Sequence, residues 1–145
     1  MKDLPTSLKA NPLLGQWLAI LPEGRVEVRS GKVELGQGIA TALAQIVANE
    51  LDVAPARIAM VRASTQGSPN EGFTSGSLSV QDSGSALRQV CAEARDIYLH
   101  AAARHLEVAV QDLTVEDGEI RARGAFGAAR PLAGHCSRPS CASSQ

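Results

Sequence analysis

Val33-Glu34-Leu35-Gly36-Gln37-Gly38-Ile39-Ala40-Thr41-Ala42-Leu43 joins a short alternating stretch to an Ala/Leu-rich run through a glutamine set between two glycines. An ordinary turn needs one glycine. Two around an amide side chain let something approach the backbone closely, where strand periodicity changes to helix periodicity. Downstream, Ile39, Leu43, Ile46, Val47 and Leu51 recur at spacings of three and four. Gln45 and Asn49 stay outside that stripe, and the pattern predicts an amphipathic helix. Upstream, Val26 and Val28 alternate with charged residues, Ser30-Gly31 gives a two-residue turn signal, and Val33 and Leu35 alternate again. This predicts a β-hairpin running into the glycine pair.

The rest of the chain extends the same architecture. Residues 1–24, with prolines at 5, 12 and 22, read as an irregular arm that Leu13, Leu14, Trp17, Leu18 and Ile20 anchor to a larger surface. Pro55 opens a short turn, and Ile58 to Val61 reads as a buried strand. Ser64 to Ser77 follows as a polar loop with hardly any aliphatic content, and loops of that length inside a domain are often functional. A second, longer helix is predicted from the stripe Leu87, Val90, Cys91, Ala94, Ile97, Tyr98 and Ala101, extending to about Leu106. Leu113 to Val115, then Glu116-Asp117-Gly118, then Ile120 reads as a small hairpin. The expected class is α+β: a small mixed sheet of hairpins packed against two main helices, part of a larger domain.

Composition narrows the partners. The 145 residues suit one domain with one core, and the 44% apolar content is mostly Ala, Val and Leu with only 3% aromatic, favouring close helix-on-sheet packing. Fourteen basic and fifteen acidic residues leave a net charge of −1, which recommends neither nucleic acid nor an anionic membrane. No apolar run approaches the roughly 18 residues of a membrane span, and Met1 to Pro5 lacks a secretory apolar core, so a cytoplasmic location is expected. Cys91 reads as a small core residue, and three cysteines at these spacings form neither a disulfide framework nor a metal-ligand pattern. His100 and His105 lie too far round their helix to share a metal, and Arg57, Arg62, Arg88 and Arg95 read as solvated faces.

In a strand-loop-helix-strand-loop-helix order, the loops ahead of the helices tend to lie at one end of the sheet. Each presents unpaired N–H groups and the positive end of a helix dipole. Here they are Gly36-Gln37-Gly38 and Thr74-Ser75-Gly76-Ser77-Leu78-Ser79. Together they offer bare amides, a side-chain amide and hydroxyls without excess charge, which suits a ligand carrying phosphate and heterocyclic hydrogen-bonding edges. Each piece alone also reads as local structure: a helix-initiation turn, and an N-cap cluster with Ser75, Ser77 or Ser79 capping. Neither matches a dinucleotide fingerprint or a phosphate loop with its lysine.

Taken in order, Gly31 to Thr41, Gln45, Pro69-Asn70-Glu71-Gly72 and Thr74 to Ser79 resemble the molybdenum-binding large subunit of the xanthine dehydrogenase and aldehyde oxidase family. The branch is that of isoquinoline 1-oxidoreductase and nicotinate dehydrogenase, and the resemblance runs from about Leu4 to Arg121. It implies a molybdopterin cofactor with molybdenum, in bacteria commonly the cytosine dinucleotide form. Gly36, Gln37 and Gly38 would approach the pterin and the metal's oxo group, with Gly76, Ser77, Leu78 and Ser79 meeting the cofactor from the other side. It further implies hydroxylation of an N-heteroaromatic ring or aldehyde with water-derived oxygen, and an iron–sulfur small subunit that takes the electrons. Periplasmic association of such a complex stays open.

Departures from the family set further expectations. Its large subunits run to several hundred residues, and the glutamate that removes a proton from the attacking oxygen lies far downstream, beyond this chain. No catalytic residue and no metal ligand is therefore assigned here, Glu71 is a weak substitute base, and the chain alone is expected to be inactive. Large-subunit segments would be supplied from elsewhere, and without them part of the second helical stripe would be exposed and drive self-association. From Gly124 the apolar periodicity stops and the composition shifts to Cys, Ser, Pro and Arg. Residues 124–145 are expected to be a disordered tail, read out of the ancestral frame. The competing readings are a non-enzymatic remnant and a stand-alone nucleotide-binding or interaction module.

Overall fold

A computed structural model of the chain describes residues 4–74, 79–123 and 130–131. Three strands, β1 (Leu18–Ile20), β2 (Val26–Arg29) and β3 (Ile58–Val61), form one sheet in the order β1-β2-β3. β2 is central: Val28 lies opposite Leu18 in the antiparallel pairing and opposite Met60 in the parallel one. Val26 and Val28 turn one face of β2 into the core, while Glu27 and Arg29 are half-buried on the other.

The hairpin expected between Val26–Val28 and Val33–Leu35 does not form. Val33 and Leu35 are 46% and 74% exposed and belong to no strand. Both edges of β2 are taken by more distant partners, one of them reached only through a helix, as parallel pairing requires. The stretch read as irregular in turn carries α1 (Thr6–Ala10), a 3-10 turn at Leu14–Gln16 and β1. Trp17 is fully buried, its indole N–H donating to the Asn11 carbonyl at 2.9 Å. β3 forms where expected, but its residues are half-buried and Val61 is exposed, because β3 is an edge strand.

α2 (Ile39–Leu51) is the crossover from β2 to β3, and it buries Ile39, Leu43, Val47 and Leu51 as its spacing foretold. Asp52 ends it in the left-handed region (φ 54°), and Val53 N–H closes on the Ala48 carbonyl at 3.0 Å. α3 (Ser85–Leu106) packs along α2. Leu87, Val90, Cys91 and Ala94 are covered by the chain's own core, whereas Ile97 and Ala101 face outward, so only the later part of the predicted stripe is uncovered.

A second sheet, β4 (Leu113–Glu116), β5 (Glu119–Ala122) and β6 (Arg130–Pro131), packs on α3 through β5. The β4–β5 hairpin turns at Asp117-Gly118, both at positive φ, as two-residue hairpin turns prefer. Asp117 also accepts from Ala54 N–H at 2.7 Å and pairs with Arg57, joining this hairpin to the start of β3. Apart from β6, the stretch read as a tail lies outside the described residues. No described helix is long and apolar enough to cross a membrane.

Candidate functional site

Gly36, Gln37 and Gly38 form an exposed turn between β2 and the first turn of α2. Gly36 (φ 93°) and Gly38 (φ 76°) are both left-handed, and a Cβ built on either would meet no heavy atom within 4 Å. Conformation demands glycine here, and the space beside the backbone is open.

The turn's amides, however, are not bare. Gly36 and Gly38 N–H each donate to Glu34 Oε1 at 2.9 Å, and Ala40 N–H donates to Oε2 at 3.0 Å. A carboxylate two residues upstream reaches the unpaired donors of the helix start before solvent or a ligand is needed. These bonds, that from Ala40 foremost and then that from Gly38, hold the Glu34 carboxyl below the usual carboxylate range against the opposing effect of desolvation. Gln37 also closes locally: Leu35 N–H donates to its Oε1 at 2.5 Å, and its Nε2 donates to the Val33 carbonyl at 2.9 Å.

Of the second predicted segment, Gly76, Ser77 and Leu78 lie outside the described residues, as does Ser75. Ser79 opens a π-helical turn, Ser79–Gly84, that runs straight into α3. Ser79 is thus not an N-cap of α3: Gly84 precedes the helix in helical geometry, with no side-chain capping bond. Gly84 lies so close to α2 that a Cβ there would come within 2.9 Å of the Ile46 side chain.

Sequence reading missed a polar network beneath these turns. Ser7, Asn11, Ser30, Lys32 and Ser83 are the buried polar side chains among the described residues, and all five belong to it. Asn11 holds Asn70 as a strand partner would, Oδ1 accepting from its N–H and Nδ2 donating to its carbonyl, both at 2.9 Å. Ser7 donates its hydroxyl to Asp82 in the π turn. Ser30 Oγ lies 2.7 Å from Glu71 Oε2, 3.1 Å from Ser83 Oγ and 3.1 Å from Lys32 N. A carboxylate only accepts, so the single Ser30 proton goes to Glu71 and Ser83 donates to Ser30. Gly31 N–H adds a second bond to Glu71 Oε2 at 2.6 Å. Lys32 Nζ donates to the carbonyls of Glu71 (2.9 Å) and Phe73 (3.4 Å), and Val33 N–H to Thr74 Oγ1 (3.0 Å).

Glu71 is therefore an acceptor inside the scaffold, with Oε2 committed and Oε1 shielded without a partner. It borders an open cleft of about 420 Å³ that Gly31, Val33, Ser64, Ser68 and Gly72 also line. Ser30-Gly31, read from the sequence as a hairpin turn, belongs instead to this network.

Elsewhere, burial, with the nearby Glu50 charge adding to it, pushes the Cys91 thiol up to about 12, in keeping with its core position. His100 Nδ1 lies 2.9 Å from the Asp96 carbonyl on its own helix. Three of the arginines read as solvated have partners: Arg57 on Asp117, Arg88 on Glu50, and Arg95 on the Glu50 carbonyl.

A strand leading through an open glycine turn into a crossover helix, beside a π turn braced from below, is the arrangement with which known proteins can be compared. Residues 5–141 match the family model described as a molybdopterin cofactor-binding domain, and the chain belongs to that family. A nicotinate dehydrogenase subunit of Pseudomonas putida is 40% identical over 107 residues, covering 74% of this chain and 9% of the relative. Among solved structures, reconstituted CO dehydrogenase from Oligotropha carboxidovorans superposes with a TM-score of 0.70 at 29% identity, over 80% of this chain and 14% of that one. Quinoline 2-oxidoreductase from Pseudomonas putida 86 gives a TM-score of 0.64 at 29% identity, over 80% and 15%. The α+β fold is that of the molybdenum hydroxylases, and the chain spans about a tenth of the length of the curated relative.

Proposed function

We propose that the chain is the part of a molybdenum hydroxylase large subunit that grips the organic portion of the cofactor, residues 25–123 forming the working module. The observation that carries this reading is the Gly36-Gln37-Gly38 turn. Its two left-handed glycines keep a strip of backbone free of side chains at the start of α2, where a flat group can lie. The three N–H donors of the turn are held by the Glu34 carboxylate, so a ligand would meet the open backbone strip rather than these amides.

In this reading Gln37 supplies amide hydrogen bonds to the pterin edge, and Gly36 and Gly38 admit it. Ser79, with Gly76, Ser77 and Leu78, faces it from the second segment. The nucleotide is the cytosine dinucleotide form. When bound, the group supplies oxidation of a carbon centre by two electrons, with water as the source of oxygen. An N-heteroaromatic ring is the favoured substrate, since nicotinate dehydrogenase and quinoline 2-oxidoreductase are among the similar proteins. An aldehyde is the second class. The general base and the substrate pocket belong to other parts of the large subunit, and an iron–sulfur subunit in the cytoplasm takes the electrons. Leu35, Phe73 and Ile97, exposed and apolar, are where the rest of the large subunit would cover this chain, and self-association would follow where it does not.

The test is cofactor binding by Gln37→Ala. Losing a hydrogen bond to a charged or polar partner weakens retention by roughly 1.5–3 kcal/mol. Unchanged pterin and molybdenum content in the variant removes Gln37 from the site.

A further inference from the structure

Among the described residues the buried polar side chains are concentrated in one place, and that place is not the exposed turn the motif advertises. Ser7, Asn11, Ser30, Lys32 and Ser83 converge on the segment from Asn70 to Thr74 and on the π turn. Buried polar groups are costly unless paired, and this network, paired except at Glu71 Oε1, favours one arrangement of the segments it joins. Glu71 is its centre. Its carboxylate takes Ser30 and Gly31, its carbonyl takes Lys32, and Ser30 passes the connection on to Ser83. Gly31 also has no room for a side chain, since a Cβ would fall 2.4 Å from the Pro69 carbonyl oxygen. The two strips of backbone are thus held face to face.

We propose that Glu71 is the positioning residue of the cofactor site. Through Ser30 and Gly31 it fixes the segment leading to the Gly36–Gly38 turn against the Ser79–Gly84 turn, so that both halves stand at a set separation before the ligand arrives. This rests on the cofactor reading above. Preorganisation of this kind raises affinity by removing the cost of ordering the two halves on binding. Alanine at position 71 leaves the Ser30 hydroxyl and the Gly31 N–H without their acceptor. Glutamine retains one oxygen that can accept both bonds, and places its NH2 where Oε1 now has no partner.

The experiment titrates the full chain with molybdopterin released anaerobically from a denatured molybdenum enzyme, followed by pterin fluorescence, with amide hydrogen exchange measured in parallel. Glu71→Ala is expected to bind about tenfold more weakly and to exchange faster at Gly31 and Val33, with α2 unchanged. Glu71→Gln should restore both readouts to near the parent. Should Glu71→Ala fail to fold, Ser83→Ala, which removes only the donor to Ser30, should weaken binding about threefold. If Gln37→Ala is impaired while Glu71→Ala, or in its place Ser83→Ala, binds as the parent does, positioning by Glu71 is overturned and the cofactor reading stands. Impairment of Glu71→Gln equal to that of Glu71→Ala also overturns it, since charge rather than a shared acceptor would then be acting. If the parent fails to bind, or Gln37→Ala binds equally well, the cofactor reading falls and this inference with it.

Discussion

The Gly36–Gly38 turn and the polar segments at Asn70 to Thr74 and Ser79–Gly84 are stabilised in opposite ways. The first is exposed and closes on itself, its hydrogen bonds spanning two to six residues of sequence. The others are held by groups 39 to 75 residues away, most of them buried. A turn whose donors and acceptors are neighbours in sequence keeps its shape wherever it is placed, so its motif can be recognised in isolation. A segment shaped by distant partners carries its instructions elsewhere in the chain.

Breaking the long-range side should have the largest effect. Asn11→Ala removes both partners of the Asn70 backbone along with a bond to the Ser7 carbonyl. Leaving such groups unpaired is expected to cost about 3 kcal/mol in urea denaturation, and a loss below about 1 kcal/mol would mean that the segment is held by other contacts. Gly38→Ala strains only the local turn, because the added methyl meets nothing. Left-handed backbone alone predicts a loss of about 1–2 kcal/mol, and a neutral result would show the turn free to change its conformation.

The smallest effect sharpens the comparison through pH. The Glu34 pKa is lowered in the folded chain, so its contribution to stability is complete above the ordinary glutamate value of about 4.3 and is lost as pH falls through the lower folded value. Glu34→Gln should flatten the acid limb of a stability–pH curve by a small amount. An identical limb in both proteins would show that the carboxylate does not hold the turn in solution.

The same contrast explains what could be read in advance. α2, the first two-thirds of α3, the β4–β5 hairpin and the burial of Cys91 follow from periodicity and turn chemistry within a few residues. Alternation at Val26 and Val28 identified a strand but not its neighbours, and a nearby alternating pair, Val33 and Leu35, was taken for a partner that the structure puts in solvent. Of the candidate site, the glycine–glutamine–glycine turn was legible because its conformation is set by its own residues. That Glu34 fills its donors could have been inferred from spacing alone. The roles of Ser30, Lys32, Glu71 and Ser83 could not, because each is a common surface residue type whose long-range partners only the folded chain reveals.

The bracing also imposes an order in time. The Ser7 hydroxyl has no acceptor until Asp82 has been synthesised, the Asn11 amide waits for Asn70 to complete its bonds, and the Ser30 hydroxyl waits for Glu71 and Ser83. On a ribosome adding about 5–20 residues per second, the amino-terminal segment spends seconds outside the tunnel with its long-range polar partners replaced by water. Arrest of translation shortly after residue 70 should leave Trp17 accessible to a quencher, and its protection should appear only once the π turn has emerged.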